Sequence, residues 1–164
     1  MSVEATRLPH GSRLSVFRRQ KDFLDCYKSE NVSEKHSIRE AATIALADGP
    51  DWVRKLMQLR NKLVAPFGLK SGDIQSLERV PAQQSGVDDR LGIFRVYSQT
   101  DNELIMGEDD KHLDFRISVY RESKSLYLAT WVHPHNIWGW GYLSLVLPFH
   151  KAIVRDSLMR LEEA

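Results

Sequence analysis

At 164 residues, with 42% hydrophobic and 27% charged residues, the chain has the size and composition of one globular domain. Its 23 basic and 22 acidic residues give a formal net charge of +1, which argues against a dedicated nucleic-acid binder. No apolar run is long enough to cross a bilayer, so no membrane partner is expected. The one cysteine, Cys26, cannot form an intramolecular disulfide, which suits a cytoplasmic chain.

Met1 to Lys21 carries Arg7, Arg13, Arg18, Arg19 and Lys21 against Glu4 alone. It reads as a flexible basic lead-in, with a single domain over residues 22–164. Asp22 to Tyr27 is short and aromatic-rich, a first strand in which Cys26 is a packed small hydrophobe rather than a nucleophile. Ser37-Ile38-Arg39-Glu40 has the capping-box form, and an alanine-rich helix follows through Leu46, stopped by Asp48-Gly49-Pro50. Pro50 suits the first turn of a second helix. There Trp52, Leu56, Leu59 and Leu63 recur at helical spacing, with Arg60 and Asn61 on the flank of that stripe. Pro66 and Gly68 close it. Ser71 to Asp89 reads as a long loop with one weak strand around Ile74 to Val80.

From Leu91 the period changes to two. Strands are expected over Ile93 to Gln99, Glu103 to Glu108, Leu113 to Arg121 and Ser125 to His133, joined by tight turns into an antiparallel meander. A reversal centred on Ser123-Lys124 sets Asp114 opposite His133, Arg116 opposite Trp131, Tyr120 opposite Tyr127 and His112 opposite His135. Phe115, Ile117 and Val119 then meet Val132, Thr130 and Leu128 on the other face. A reversal centred on Asp110-Lys111 would put Gly107 beside Asp114. Asn136 stands where a helix N-cap belongs. The run to Leu161 reads as one long helix kinked at Pro148, or as a strand Tyr142 to Leu147 followed by a helix. The fold class is α+β: an antiparallel curved sheet gripping a long C-terminal helix, with two short helices after the first strand.

Those segments carry a resemblance. Trp52 to Met57 with Leu59 to Val64, Phe67 to Lys70, Asp109 to Arg116, Val132-His133 with Asn136, and Pro148-Phe149-His150 with Ile153-Val154 resemble, in the same order, the blocks of domain-of-unknown-function family 2867. The resemblance implies a START-like, helix-grip fold of the polyketide-cyclase kind, in which a seven-stranded sheet often encloses an apolar cavity. It implies no established activity. Some relatives carry this domain behind a nucleotide-binding one, but this chain has no GxGxxG-type run, so neither a nicotinamide nor any other cofactor is expected.

The even-numbered residues of the Leu113 strand carry the pointed chemistry, and four readings of them compete. In the structural one, Asp114 accepts a hydrogen bond from His133 and Arg116 stacks on Trp131. In the second, Tyr120, Tyr127 and Trp131 wall a pocket in which Arg116 reads an acidic group. In the third, an Asp114-oriented His133 is a general base and Asn136 or Arg116 polarises a carbonyl, as in cyclase- or hydratase-like chemistry. In the fourth, His112, Asp114, His133 and His135 ligate a metal, a reading that Pro134 constrains; no metal is expected. His150 is a core histidine or a cavity-facing one. The helix-grip architecture that the resemblance implies points to a domain that binds a small apolar or aromatic molecule between sheet and long helix. Its ligand-binding candidates are His112, Arg116, Tyr127, Trp131, Asn136 and His150; its catalytic candidates are Asp114 and His133. Whether it is an enzyme stays open. The remaining alternative is an interaction or homodimerisation module that uses an exposed Arg116/Trp131 face.

Overall fold

Alternation of apolar and polar residues becomes the meander expected of it. The computed structural model describes residues 3–30, 32, 35–47, 89–91 and 94–164, together with positions 51, 55 and 58. In chain order these contain β1 (Glu4–Ala5), a 3-10 turn (Arg13–Phe17), β2 (Phe23–Glu30), α1 (Ile38–Ala47), β3 (Arg90–Leu91), β4 (Phe94–Gln99), β5 (Glu103–Asp109), β6 (Leu113–Glu122), β7 (Ser125–Pro134) and α2 (Ile137–Glu163). The strands form one seven-stranded antiparallel sheet in the order β1-β2-β7-β6-β5-β4-β3. The second predicted helix and the weak strand Ile74 to Val80 lie outside the described residues, except that Asp51, Lys55 and Gln58 are helical and exposed. No helix among the described residues is long and apolar enough to cross a membrane.

The capping box closes as its spacing requires: the Ser37 amide donates to Glu40 Oε2 at 2.7 Å, and the Glu40 amide donates to Ser37 Oγ at 3.2 Å. At the other end of the chain, Asn136 Oδ1 accepts from the amides of Trp138 and Gly139, both at 3.1 Å. From that cap α2 runs unbroken through Pro148, so Tyr142 to Leu147 is helix and not strand.

The β6–β7 register is the predicted one, with Asp114 opposite His133 and Arg116 opposite Trp131. The β5–β6 register is displaced by two. Gly107 lies opposite Arg116 and Asp109 opposite Asp114, because the reversal spans Asp110 to Leu113, closed by the Asp110 amide on the Leu113 carbonyl at 3.0 Å. An even displacement keeps every side chain on its predicted face. Gly107 is required there by close backbone approach, since a Cβ would come within 2.0 Å of the Phe115 carbonyl oxygen.

The two sheet faces are covered by different parts of the chain. On one, Leu104, Met106, Val119, Leu126 and Leu128 pack against Ala41, Ala42 and Ala45 of α1 and Val154, Leu158 and Leu161 of α2. Leu113, Val132 and Leu143 extend that layer, with Phe23, Phe115, Tyr142 and Leu147 at its margin. The odd-numbered residues of β6 therefore look at the long helix.

The other face is covered by the segment read as a flexible lead-in, and that reading is corrected. Glu4 and Ala5 pair with Lys28 and Tyr27 of β2. Leu14 is completely buried in a second core with Cys26, Ile105, Ala129 and Trp131, flanked by Leu8 and Phe17. The basic residues of the lead-in are all exposed, so charge density concealed an apolar set, Leu8, Leu14 and Phe17, that needs a sheet to bury against.

Candidate functional site

On the second face the polar ladder is held by the N-terminal segment. Asp22, its side chain 3% exposed, accepts three hydrogen bonds: from the Arg19 amide at 2.8 Å, from Trp131 Nε1 at 2.8 Å and from His133 Nδ1 at 2.6 Å. Burial alone would raise this carboxyl, but the bonds from His133, Arg19 and Trp131 outweigh it and hold the pKa below 3.8. The expected Asp114–His133 hydrogen bond is thus replaced. His133 turns to Asp22, and Asp114 is taken by His135 Nε2 at 2.9 Å. The two imidazoles lie 5.5 Å apart, and His133 is stacked on Trp131 at 6.2 Å. Both nitrogens of His135 face acceptors, Asp114 and the Lys111 carbonyl, so its pKa is raised, chiefly by the bond to Asp114.

Arg116 sits in an aromatic cage rather than on an exposed surface. Its guanidinium carbon is 3.5 Å from the centre of the Tyr97 ring, 5.2 Å from Phe17 and 5.8 Å from Trp131. The guanidinium donates to the Phe115 carbonyl at 2.8 Å and pairs with Asp109 at 2.8 Å, while Nε has no partner among the described residues. A register shift between Val96 and Ser98 marks a bulge, and the intervening Tyr97 packs with the second core over Arg116. Arg116 and Trp131 are 5% and 3% exposed. The expectation that they anchor an exposed interaction surface is corrected: the chain's own Phe17 and Tyr97 occupy that position. Tyr127 lies farther along the same face, 6.0 Å from Tyr120 and beneath the Lys28 ammonium at 5.9 Å.

His112 and Asn136 form a separate group at the start of α2, with Asn136 Nδ2 donating to His112 Nδ1 at 3.1 Å. That contact and the helix cap account for both groups of the Asn136 side chain. His112 is buried, and among the described residues no group of three His, Cys, Asp or Glu is placed to hold a metal.

His150 lies on the opposite side of the sheet from His133. Its Nε2 faces Asp25 of β2, 3.0 Å from Oδ2 and 3.2 Å from Oδ1, and its ring meets Phe23 edge-on at 6.3 Å. Side-chain exposures of 19% for His150 and 17% for Asp25 place the pair at the rim of the sheet–helix seam. Buried Thr130, opposite Asp25 on β7, continues this polar strip. The sequence-predicted residues therefore fall into three places: Arg116, Tyr127, Trp131, His133 and Asp114 on the face covered by the N-terminal segment, His112 with Asn136 at the helix cap, and His150 in the seam.

Three carboxylates were missed by sequence reasoning. Asp22, just before β2, and Asp25, within it, meet partners more than a hundred positions away, with no local pattern to reveal them. Buried Glu103 accepts from Ser12 Oγ at 2.6 Å, the Arg13 amide at 2.8 Å and Ser118 Oγ at 2.6 Å, tying the N-terminal segment to β5 and β6. Its one sequence signal is a carboxylate opening the apolar run Leu104-Ile105-Met106. Cys26 behaves as expected: burial, then the neighbouring Asp25, pushes its thiol up to about 12.

A seven-stranded antiparallel sheet with helices on one face and a chain-terminal helix along it defines an α+β domain. Residues 17–157 match the family described as protein of unknown function (DUF2867), and the chain belongs to that family. No curated protein and no solved structure matches it.

Proposed function

We propose that this domain binds a small apolar or aromatic molecule in the seam between the sheet and α2. The observation that carries this reading is the Asp25–His150 pair, a carboxylate and an imidazole at the rim of an otherwise apolar layer. Phe23, Phe115 and Tyr142 supply aromatic surface beside it, and all three are only partly buried. Ligand sites are typically apolar with a few polar groups that fix orientation, and this seam has that composition. The START-like, helix-grip fold that the family resemblance implies would put a ligand in the same location, by analogy. The test is titration with 1-anilinonaphthalene-8-sulfonate, followed by a fluorescence screen of aromatic acids and alcohols against it. Saturable binding that His150→Ala weakens about tenfold is expected. A protein that binds no probe, or binds it equally well after His150→Ala and Phe23→Ala, would defeat this reading.

One observation favours a second, acid–base reading: Asp22 engages Nδ1 of His133 and leaves Nε2 as the nitrogen available to a reacting group. Here Asp22, not Asp114, is the orienting carboxylate. If a turnover is found, His133→Gln should reduce it at least about a hundredfold, the usual contribution of a general base. Unchanged turnover in that variant would exclude His133.

A further inference from the structure

The outer face of α2 differs from every other exposed surface among the described residues. From Asn136 to Phe149 the chain contains no Asp, Glu, Lys or Arg. Ile137, Trp138, Leu145 and Phe149 remain 43–79% exposed although the helix is packed along its other side. At 3.6 residues per turn, Trp138, Leu145 and Phe149 form one ridge of large side chains. Gly141, Pro148 and Ala152, all exposed, form a shallow furrow beside it. A Cβ at Gly141 would meet no heavy atom within 4 Å, so nothing inside the described chain requires a glycine there.

We propose that this face, Ile137 to Ala152, is a two-fold interface between two copies of the chain. A two-fold contact joins a surface to itself, so that surface must be self-complementary. A ridge next to a furrow on one helix meets that condition, because an antiparallel copy sets each ridge into the other's furrow, with Gly141 allowing close approach. The area also fits. Ile137, Trp138, Leu145 and Phe149 share this side of the helix and at these exposures offer about 500 Å² of apolar surface, within the range of the largest patch a monomer leaves open. Two such faces together offer about 1,000 Å², the lower bound for a specific interface. Lys151 and Arg155 follow the apolar stretch and are exposed. A lipid surface would accept the same large residues but would have no use for the furrow. The inference is independent of the ligand reading, which is carried by Asp25 and His150 in the seam.

Sedimentation velocity on the full chain over a wide concentration range tests it. A monomer–dimer equilibrium is expected, and Gly141→Leu should weaken it at least about tenfold by filling the furrow. The same substitution should leave the melting temperature of the folded chain unchanged or higher, since leucine is the better helix former. Leu145→Arg, on the ridge, should weaken association comparably and guards against misfolding of the first variant. A chain that stays monomeric overturns the proposal, as does a dimer indifferent to both substitutions. A monomer whose tryptophan emission shifts to the blue on phosphatidylserine–phosphatidylcholine vesicles overturns it in favour of a lipid surface.

Discussion

Asp22 is the residue on which the second face turns. It combines a nearly covered side chain with three donors, and the part-buried Trp131 indole would lose its acceptor if it were removed. Asp22→Ala should therefore cost about 2–4 kcal/mol in urea-unfolding free energy, the scale of a buried charged acceptor lost from its donors. The pH dependence follows from the sign of the shift. With a folded pKa below 3.8, Asp22 contributes stability that is present above its unfolded value and lost as pH falls through the folded one. Acid titration of the urea midpoint should show this loss in the wild type, and Asp22→Asn should flatten it. His135 has the opposite sign. Its raised pKa means that the bond to Asp114 stabilises fully below the unfolded value of about 6.5, and that this contribution disappears as pH rises through the folded value. The stability difference between wild type and His135→Ala should therefore be largest near pH 5 to 6 and close above it.

Among the elements, the N-terminal segment has a structural weight that its composition hides. Leu14 and Phe17 plug the second core, and Glu103 and Asp22 pin the segment near either end of the 3-10 turn. Gly11 belongs to the same arrangement, because a Cβ there would come within 2.3 Å of the Tyr120 hydroxyl. Leu14→Ala should cost about 2–5 kcal/mol, the range for a fully buried leucine, whereas a dangling lead-in would predict no effect. Calorimetry on the pair decides between them. The hairpin of β5 and β6 makes a parallel point about register. Alternation marked Gly107 as a place where the sheet has room, but the reversal of Asp110 to Leu113 moves that room from Asp114 to Arg116, whose guanidinium folds back to the Phe115 carbonyl.

For the molecule as a whole, the described residues cover the two sheet faces in unrelated ways, with helices on one side and the N-terminal segment on the other. Removing residues 1–17 would uncover Trp131, Tyr97 and Ile105 together and take the Phe17 ring from Arg116. Such a truncated chain should bind 1-anilinonaphthalene-8-sulfonate nonspecifically and unfold at lower urea than the intact protein. An equally stable truncated chain would show that the second core is dispensable. The same division separates the candidate residues: His150 and His133 were considered for one pocket, yet the sheet stands between them, and no single small molecule in the seam can touch both.

The odd-numbered residues of β6, the capping box of α1, the β6–β7 register and the Asn136 cap were legible in the sequence, because each is dictated by periodicity or by partners a few positions away or across one tight turn. The identity of the hydrogen-bond partners was not. Alternation places Asp114 opposite His133, but whether two facing side chains bond depends on what else reaches them. A carboxylate delivered from the chain's other end, Asp22, claims His133, while Asp114 bonds His135 on β7's flank. The course of the N-terminal segment likewise depended on a sheet that forms from residues far downstream, since Leu14 has nothing to bury against until β2, β5 and β7 are side by side. Local patterns determined the elements and their faces. Only the tertiary structure decided what covers each face, and with it which of the pointed residues remain within reach of a ligand.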